Sequence, residues 1–147
     1  MSQYALGLDY GTNSCRSVIL DLSNGREVAS EVFAYPTGEA GIVLDARDPN
    51  VARQDPRDYV TGAVAIVIGA IRKAKKAVRG FDPASIVGIG VDTTGSTPMP
   101  VDRNGTPLAM LPEFEDDPAA MAWLWKDHSS HAEAGEITAL AAKMRPQ

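Results

Sequence analysis

One cysteine, two histidines and no apolar run approaching the ~20 residues of a membrane span are the first facts of this sequence. The lone Cys15 excludes an internal disulfide framework and any cysteine-built zinc site, and it reads as a small turn residue rather than a reactive thiol. His128 and His131 stand three apart, but no carboxylate at helical spacing completes a metal set around them. Positive charge is scarce too. Fourteen Lys and Arg against 19 Asp and Glu leave a net charge of −5, which argues against nucleic acid as a partner. The one cationic cluster, Arg72-Lys73-Lys75-Lys76-Arg79, falls near the end of an expected helix, where it suits a solvated face and complements the helix dipole. A secretory leader's basic start and long apolar segment are missing, so the expectation is a cytoplasmic protein without membrane association.

What is present is a soluble globular composition, 44% hydrophobic and 22% charged over 147 residues. That length supports one domain and is too short for two domains with a cleft between them. Residues 4–9 and 16–22 read as strands, and Ser23-Asn24-Gly25 turns the chain into a third, about Glu27 to Tyr35. Pro36 to Pro56 reads as an irregular loop. Asp55 before Pro56 predicts a helix start, and Tyr59, Ala63, Ile66, Val67, Ala70, Ile71, Ala74 and Val78 carry its apolar face to about Val78. Ile86 to Asp92 is a near-continuous apolar run, the pattern of a strand buried on both faces. Short strands are expected around Met99–Val101 and Pro107–Leu111, and helices over Ala119–Trp125 and Ala132–Met144. The order β-β-β-α-β defines an α/β domain with a mixed sheet.

Three constellations carry chemistry. In the first, Asp9-Tyr10-Gly11-Thr12-Asn13-Ser14-Cys15-Arg16 sets a carboxylate at a strand end, then a tight turn, then an arginine. A carboxylate there can orient Mg²⁺, turn amides and hydroxyls can wrap phosphoryl oxygens, and a guanidinium can grip the same group. A plain hairpin uses the same residues, so context must decide. In the second, Val91-Asp92-Thr93-Thr94-Gly95-Ser96-Thr97-Pro98 ends the apolar strand in hydroxyls and a glycine, at a place where ligands collect in open sheets. The third is Trp123-Leu124-Trp125-Lys126-Asp127-His128, in which aromatic faces beside polar groups can line a pocket or simply pack. Gly88-Ile89-Gly90 does not make a dinucleotide site, because it lies within a strand and lacks the third glycine.

Together with Leu111-Pro112-Glu113-Phe114, these motifs resemble the N-terminal part of the FGGY carbohydrate kinase family, which has the actin-like, ribonuclease-H-like ATPase fold. The resemblance extends over nearly the whole chain. It implies ATP and Mg²⁺ as cofactors and a ketopentose, L-ribulose, as the sugar phosphorylated, with xylulose or glycerol as alternatives. Asp9 would orient Mg²⁺; Gly11, Thr12, Asn13, Ser14 and Arg16 would hold the ATP phosphate. Thr94, Gly95, Ser96, Thr97, Trp125, Lys126 and Asp127 would border the sugar. Members of the family are several times longer, and the general-base aspartate, a second phosphate loop and the adenosine motif are expected beyond residue 147. The expectation is therefore an incomplete first domain that is inactive alone. The competing reading is a non-catalytic sugar- or phosphate-binding module. Sheet and helix surface left uncovered in such a piece offers a route to a homodimer or a segment swap.

Overall fold

The computed structural model describes residues 2–145. Strands β1 (Tyr4–Tyr10), β2 (Ser14–Asp21) and β3 (Arg26–Ala34) form the expected antiparallel meander. The second turn closes through Gly25 at φ 70°, a left-handed position that glycine occupies without a steric penalty. A short β4 (Val43–Leu44) and β5 (Ala52–Gln54) follow, so the segment 36–56 is not wholly irregular. Helix α1 (Pro56–Ala77) then begins where the sequence predicts. Asp55 caps it by accepting from the Arg57 amide, Pro56 occupies the first turn, and Lys75 and Lys76 lie in the last turn beside the exposed carbonyls. After it, β6 (Ile86–Thr93) runs parallel to β1, giving the sheet order β3-β2-β1-β6. The crossover from β3 through α1 to the far edge makes the sheet mixed.

Helix α1 lies over β2 and β3. Ala70 and Ala74 pack with Tyr4, Leu6, Ile19, Ala29 and Phe81, while Ile66 packs with Cys15 and Tyr35. Burying one such isoleucine contributes about 1.5–3 kcal/mol. The helix comes unusually close at Gly62, where a Cβ would lie 2.5 Å from Cys15 Sγ and 3.0 Å from Phe33. A buried polar pin crosses this interface, Ser17 Oγ donating to the Ile66 carbonyl at 2.8 Å, and at its exposed margin Lys73 Nζ donates to the Ser30 carbonyl at 2.9 Å.

Three sequence expectations are corrected. Strand β6 is an edge strand, with Val87, Ile89 and Val91 exposed on one face and open space beside Gly88 and Gly90. Its apolar run suits a buried strand, but no further strand of the described chain pairs with it and α1 covers the other half of the sheet. Ala119–Trp125 is not a helix. It is a single 3₁₀ turn, Pro118–Ala120, followed by β7 (Ala122–Trp123), which pairs with β5 in a small sheet of order β4-β5-β7. Around residues 99–111 the expected strands reduce to one bridge between Val101 and Pro107 and a 3₁₀ turn, Leu108–Met110. The last element, α2 (His131–Met144), forms as expected but buries none of its residues.

Candidate functional site

The antiparallel register sets Asp9 opposite Arg16, and their side chains meet at 3.1 Å, each about half exposed. An ion pair this open to water is worth only about 0–1 kcal/mol, so the guanidinium can exchange Asp9 for an incoming anion at little cost. Between them the turn closes through Gly11 N–H donating to the Ser14 carbonyl at 2.9 Å. A Cβ on Gly11 would stand 3.2 Å from that carbonyl and 3.7 Å from Arg16 Nη2, so glycine keeps the approach to the guanidinium open. On the other side of Asp9, the parallel register places Asp92 of β6 as its neighbour. Sequence reading noted Asp92 as the end of a strand but gave it no role. Two oxygen-rich carboxylates side by side, one already balanced by Arg16, are the donor chemistry that suits Mg²⁺.

The turn is held from three directions. The Thr12 carbonyl accepts from Gln54 Nε2 at 2.7 Å, and Gln54 Oε1 accepts from Tyr59 OH at 2.6 Å. Asn13 is tied on both backbone and side chain, its carbonyl accepting from Tyr35 N–H at 3.0 Å and its Nδ2 donating to the Ala40 carbonyl at 2.7 Å. The Asn13 side-chain amide is thus engaged with the 36–41 loop. Lastly, Trp125 Nε1 donates to Thr12 Oγ1 at 3.1 Å. Burial raises the Tyr59 hydroxyl to about 12, helped by the neighbouring Asp58 charge, and burial also pushes the Tyr35 hydroxyl well above its ordinary value. Both phenols keep their protons at neutral pH, and Tyr59 is the donor that the Tyr59–Gln54–Thr12 relay requires.

Beyond the end of β6, Thr94 N–H donates to the Tyr10 carbonyl at 3.0 Å, which carries the 94–97 loop up beside the turn that follows β1. Ser96 sits at φ 54°, a left-handed conformation that costs a non-glycine residue energy and clusters at functional loops. Thr94, Gly95, Ser96 and Trp125 line one open cleft of about 440 Å³. Two segments expected to border a sugar are thus brought together, and Trp125 joins them to the Gly11–Ser14 turn. Thr97 faces a separate apolar cleft with Tyr10 and Tyr59, although its Oγ1 lies 3.4 Å from Thr94 Oγ1.

Asp127 does not border the cleft. Its carboxylate is 4% exposed and fully engaged, accepting from the Ala52 amide at 2.6 Å, from the Arg53 guanidinium and from Ser129 Oγ at 2.5 Å. Arg53, itself 5% exposed, also lies 3.7 Å over the Trp123 ring, and burial pulls it below the usual guanidinium value. Asp127 therefore holds the 124–129 segment onto β5, and Trp125 is presented from that support. Lys126 stands between the two and lines none of the clefts described. The sequence gives no local sign of the Arg53–Asp127 or Gln54–Thr12 partnerships, which join residues 74 and 42 positions apart.

A tight turn flanked by a carboxylate and an arginine thus stands beside a hydroxyl-rich loop on a β-β-β-α-β sheet. The model of the FGGY family of carbohydrate kinases, N-terminal domain, matches residues 4–144, and the chain belongs to that family. Curated relatives include the ribulokinase of Vibrio parahaemolyticus, 44% identical over 139 residues, which cover 95% of this chain and 24% of that protein. The ribulokinase of Geobacillus thermodenitrificans is 38% identical over 145 residues, covering 96% of this chain and 25% of its own. The chain thus spans about a quarter of the length of the curated relatives it matches. Among solved structures, gluconate kinase from Lactobacillus acidophilus superposes with a TM-score of 0.68 at 18% identity, over 96% of this chain and 23% of that one. Glycerol kinase from Plasmodium falciparum with ADP gives 0.69 at 18% identity, over 94% and 23%. These last likenesses bear on the fold, which is that of the FGGY sugar kinases.

Proposed function

We propose that this chain is the N-terminal part of the first domain of an ATP-dependent sugar kinase acting on L-ribulose in pentulose and arabinose breakdown, and that it supplies half of the active site. The observation that carries the reading is the Trp125–Thr12 hydrogen bond, which fastens the sugar-side cleft to the phosphate turn. The ribulokinase names of the curated relatives support the choice of sugar.

Asp9 and Asp92 are the residues that would hold Mg²⁺ by way of its water shell, and Arg16 would leave Asp9 to bind the transferred phosphoryl group. Mg-ATP supplies that phosphoryl group and the metal charge that offsets its oxygens. Gly11 to Ser14 present the turn backbone at close range, and positioning with charge neutralisation is most of what phosphoryl transfer asks of a protein. Thr94, Gly95, Ser96 and Trp125, which line one open cleft, would border the sugar. A general base and a second domain are left to the remainder of such an enzyme. Loss of a base alone costs about 10²–10⁴ in rate, so this chain by itself is expected to show no turnover.

The test is an assay of the full-length enzyme carrying this segment, with Mg-ATP and a panel of L-ribulose, xylulose, glycerol and gluconate. The reading expects kcat/KM to be highest for L-ribulose. A preference for a polyol would move the substrate assignment. ATP-dependent phosphorylation by the 147-residue chain alone would overturn the half-site reading, and tight sugar binding by a full-length protein without turnover would favour the regulatory module.

A further inference from the structure

Strand β5 carries two polar side chains, Arg53 and Gln54, that are adjacent in sequence, buried, and engaged in opposite directions. Successive residues of a strand face opposite sides, and the contacts follow that rule. Arg53 meets the Trp123 ring, the Asp127 carboxylate and Ser129 Oγ, and its Nε donates to the Pro118 carbonyl at 3.1 Å. Gln54 meets the Thr12 carbonyl and the Tyr59 hydroxyl. At 4% and 1% exposed, neither residue can trade its partners for water. One side chain therefore grips the segment that presents Trp125, and its neighbour grips the Gly11–Ser14 turn.

The two grips close on each other. A carboxamide offers a donor and an acceptor from one planar group, and the Tyr59 hydroxyl, which keeps its proton, requires the acceptor end. That leaves Nε2 of Gln54 for the Thr12 carbonyl, so α1 fixes the amide and the amide fixes the turn. Thr12 is then held at its side chain as well, by Trp125 Nε1. Trp125 in its turn stands between two anchored residues. Leu124 is buried and its N–H donates to the Ala52 carbonyl at 3.0 Å, and Asp127 is clamped by Arg53 and the Ala52 amide. The path Gln54–Thr12–Trp125–Asp127–Arg53 thus leaves β5 at one residue and returns to it at the next.

We infer that Gln54 and Arg53 are positioning residues of the phosphoryl transfer, which together set, from a single strand, the separation between the Gly11–Ser14 turn and the Trp125 wall. The inference rests on the kinase reading given above. Neither residue touches a substrate; each acts through another, Gln54 through Thr12 and Arg53 through the 124–129 segment. In-line transfer is sensitive to placement, and an error of about 1 Å can cost on the order of 10²-fold in rate. Because the two residues hold different parts, their loss has different signatures. Releasing the turn affects the transfer step, whereas releasing the Trp125 wall affects how the sugar is held.

The experiment compares two variants of the full-length enzyme carrying this segment, by steady-state kinetics with Mg-ATP and L-ribulose and by fluorine NMR of protein labelled with 5-fluorotryptophan. Gln54→Met keeps the length of the side chain and removes both of its hydrogen bonds. It should lower kcat at least about tenfold and leave the L-ribulose KM within about twofold. Arg53→Lys keeps the charge beside Asp127 but gives up the fork and the stacking on Trp123, and should raise the L-ribulose KM about tenfold with a smaller change in kcat. Both should move the Trp125 resonance, assigned by its loss in Trp125→Phe, since one displaces the acceptor Thr12 and the other displaces the indole itself. If Gln54→Met does not fold, Tyr59→Phe removes only the outer donor and should give a smaller loss of kcat in the same direction. Equal proportional changes in kcat and KM for both variants, the mark of general loosening, overturn the inference, as do wild-type kinetics. Should the wild-type protein phosphorylate another sugar, the same split is read with that sugar. Should it turn over none, the kinase reading falls by itself, and an unmoved Trp125 resonance in both variants then overturns the positioning while a moved one upholds it.

Discussion

Trp125 Nε1 and Thr12 Oγ1 meet at 3.1 Å although 113 positions separate them in the chain, so an indole on one loop reads the state of the turn on another. Replacing Thr12 by valine keeps the shape and removes the acceptor. In a Trp123→Phe background, T12V should shift the emission of the remaining tryptophan, with a stability loss of only about 0.5–1.5 kcal/mol. An unchanged spectrum would mean that the bond does not persist in solution.

Asp9 is half exposed and its only ionic partner among the described residues is Arg16, so its removal should spare the fold. In the full-length enzyme, Asp9→Asn is expected to cut kcat by about 10–100-fold, the usual cost of losing a group that orients a metal's surroundings. Thermal denaturation should move little. Wild-type turnover in that variant would remove Asp9 from the metal role.

Asp127 should behave in the opposite way. Cutting it to alanine leaves the buried Arg53 cation without its counter-charge and the Ala52 amide without an acceptor, a change expected to cost about 3–5 kcal/mol. Chemical denaturation of the 147-residue chain measures this directly. Asp127→Ala with native stability would refute the supporting role and reopen a sugar-contacting one.

Alkaline pH should unfold the chain before ordinary tyrosines would suggest it. Unfolded tyrosine loses its proton near pH 10, whereas Tyr59 is held up to about 12 by burial and by Asp58, and Tyr35 is raised by burial as well. Between those values the folded state keeps protons that the unfolded state gives up, so stability is fully present below about pH 10 and falls as pH rises toward 12. Denaturant midpoints should drop across that window, and Tyr59→Phe should flatten the drop.

The meander and α1 were legible because their signals are local: alternating residues, Ser23-Asn24-Gly25, and Asp55 before Pro56. The tight turn between β1 and β2 was legible for the same reason, since Asp9, Gly11 and Arg16 lie within eight consecutive residues. Strand β6 was recognised but not its exposure, because an apolar run reports what a strand prefers and not whether neighbours are there to cover it. Alanine-rich 119–125 failed as a helix when pairing of Ala122 and Trp123 with Gln54 and Arg53 overrode propensity. Asp127 looked like a site carboxylate because nothing near it in sequence reveals Arg53.

The close seat of Gly62 on Cys15 gives the molecule a built-in clock. The chain's single thiol is fully covered beneath α1, and burial keeps it protonated above its ordinary value. An alkylating reagent reaches it only when the helix lifts from the sheet, so the rate of labelling counts those departures one by one. Anything that steadies the helix, such as a ligand at the turn, will be heard as a slower tick from one sulfur atom.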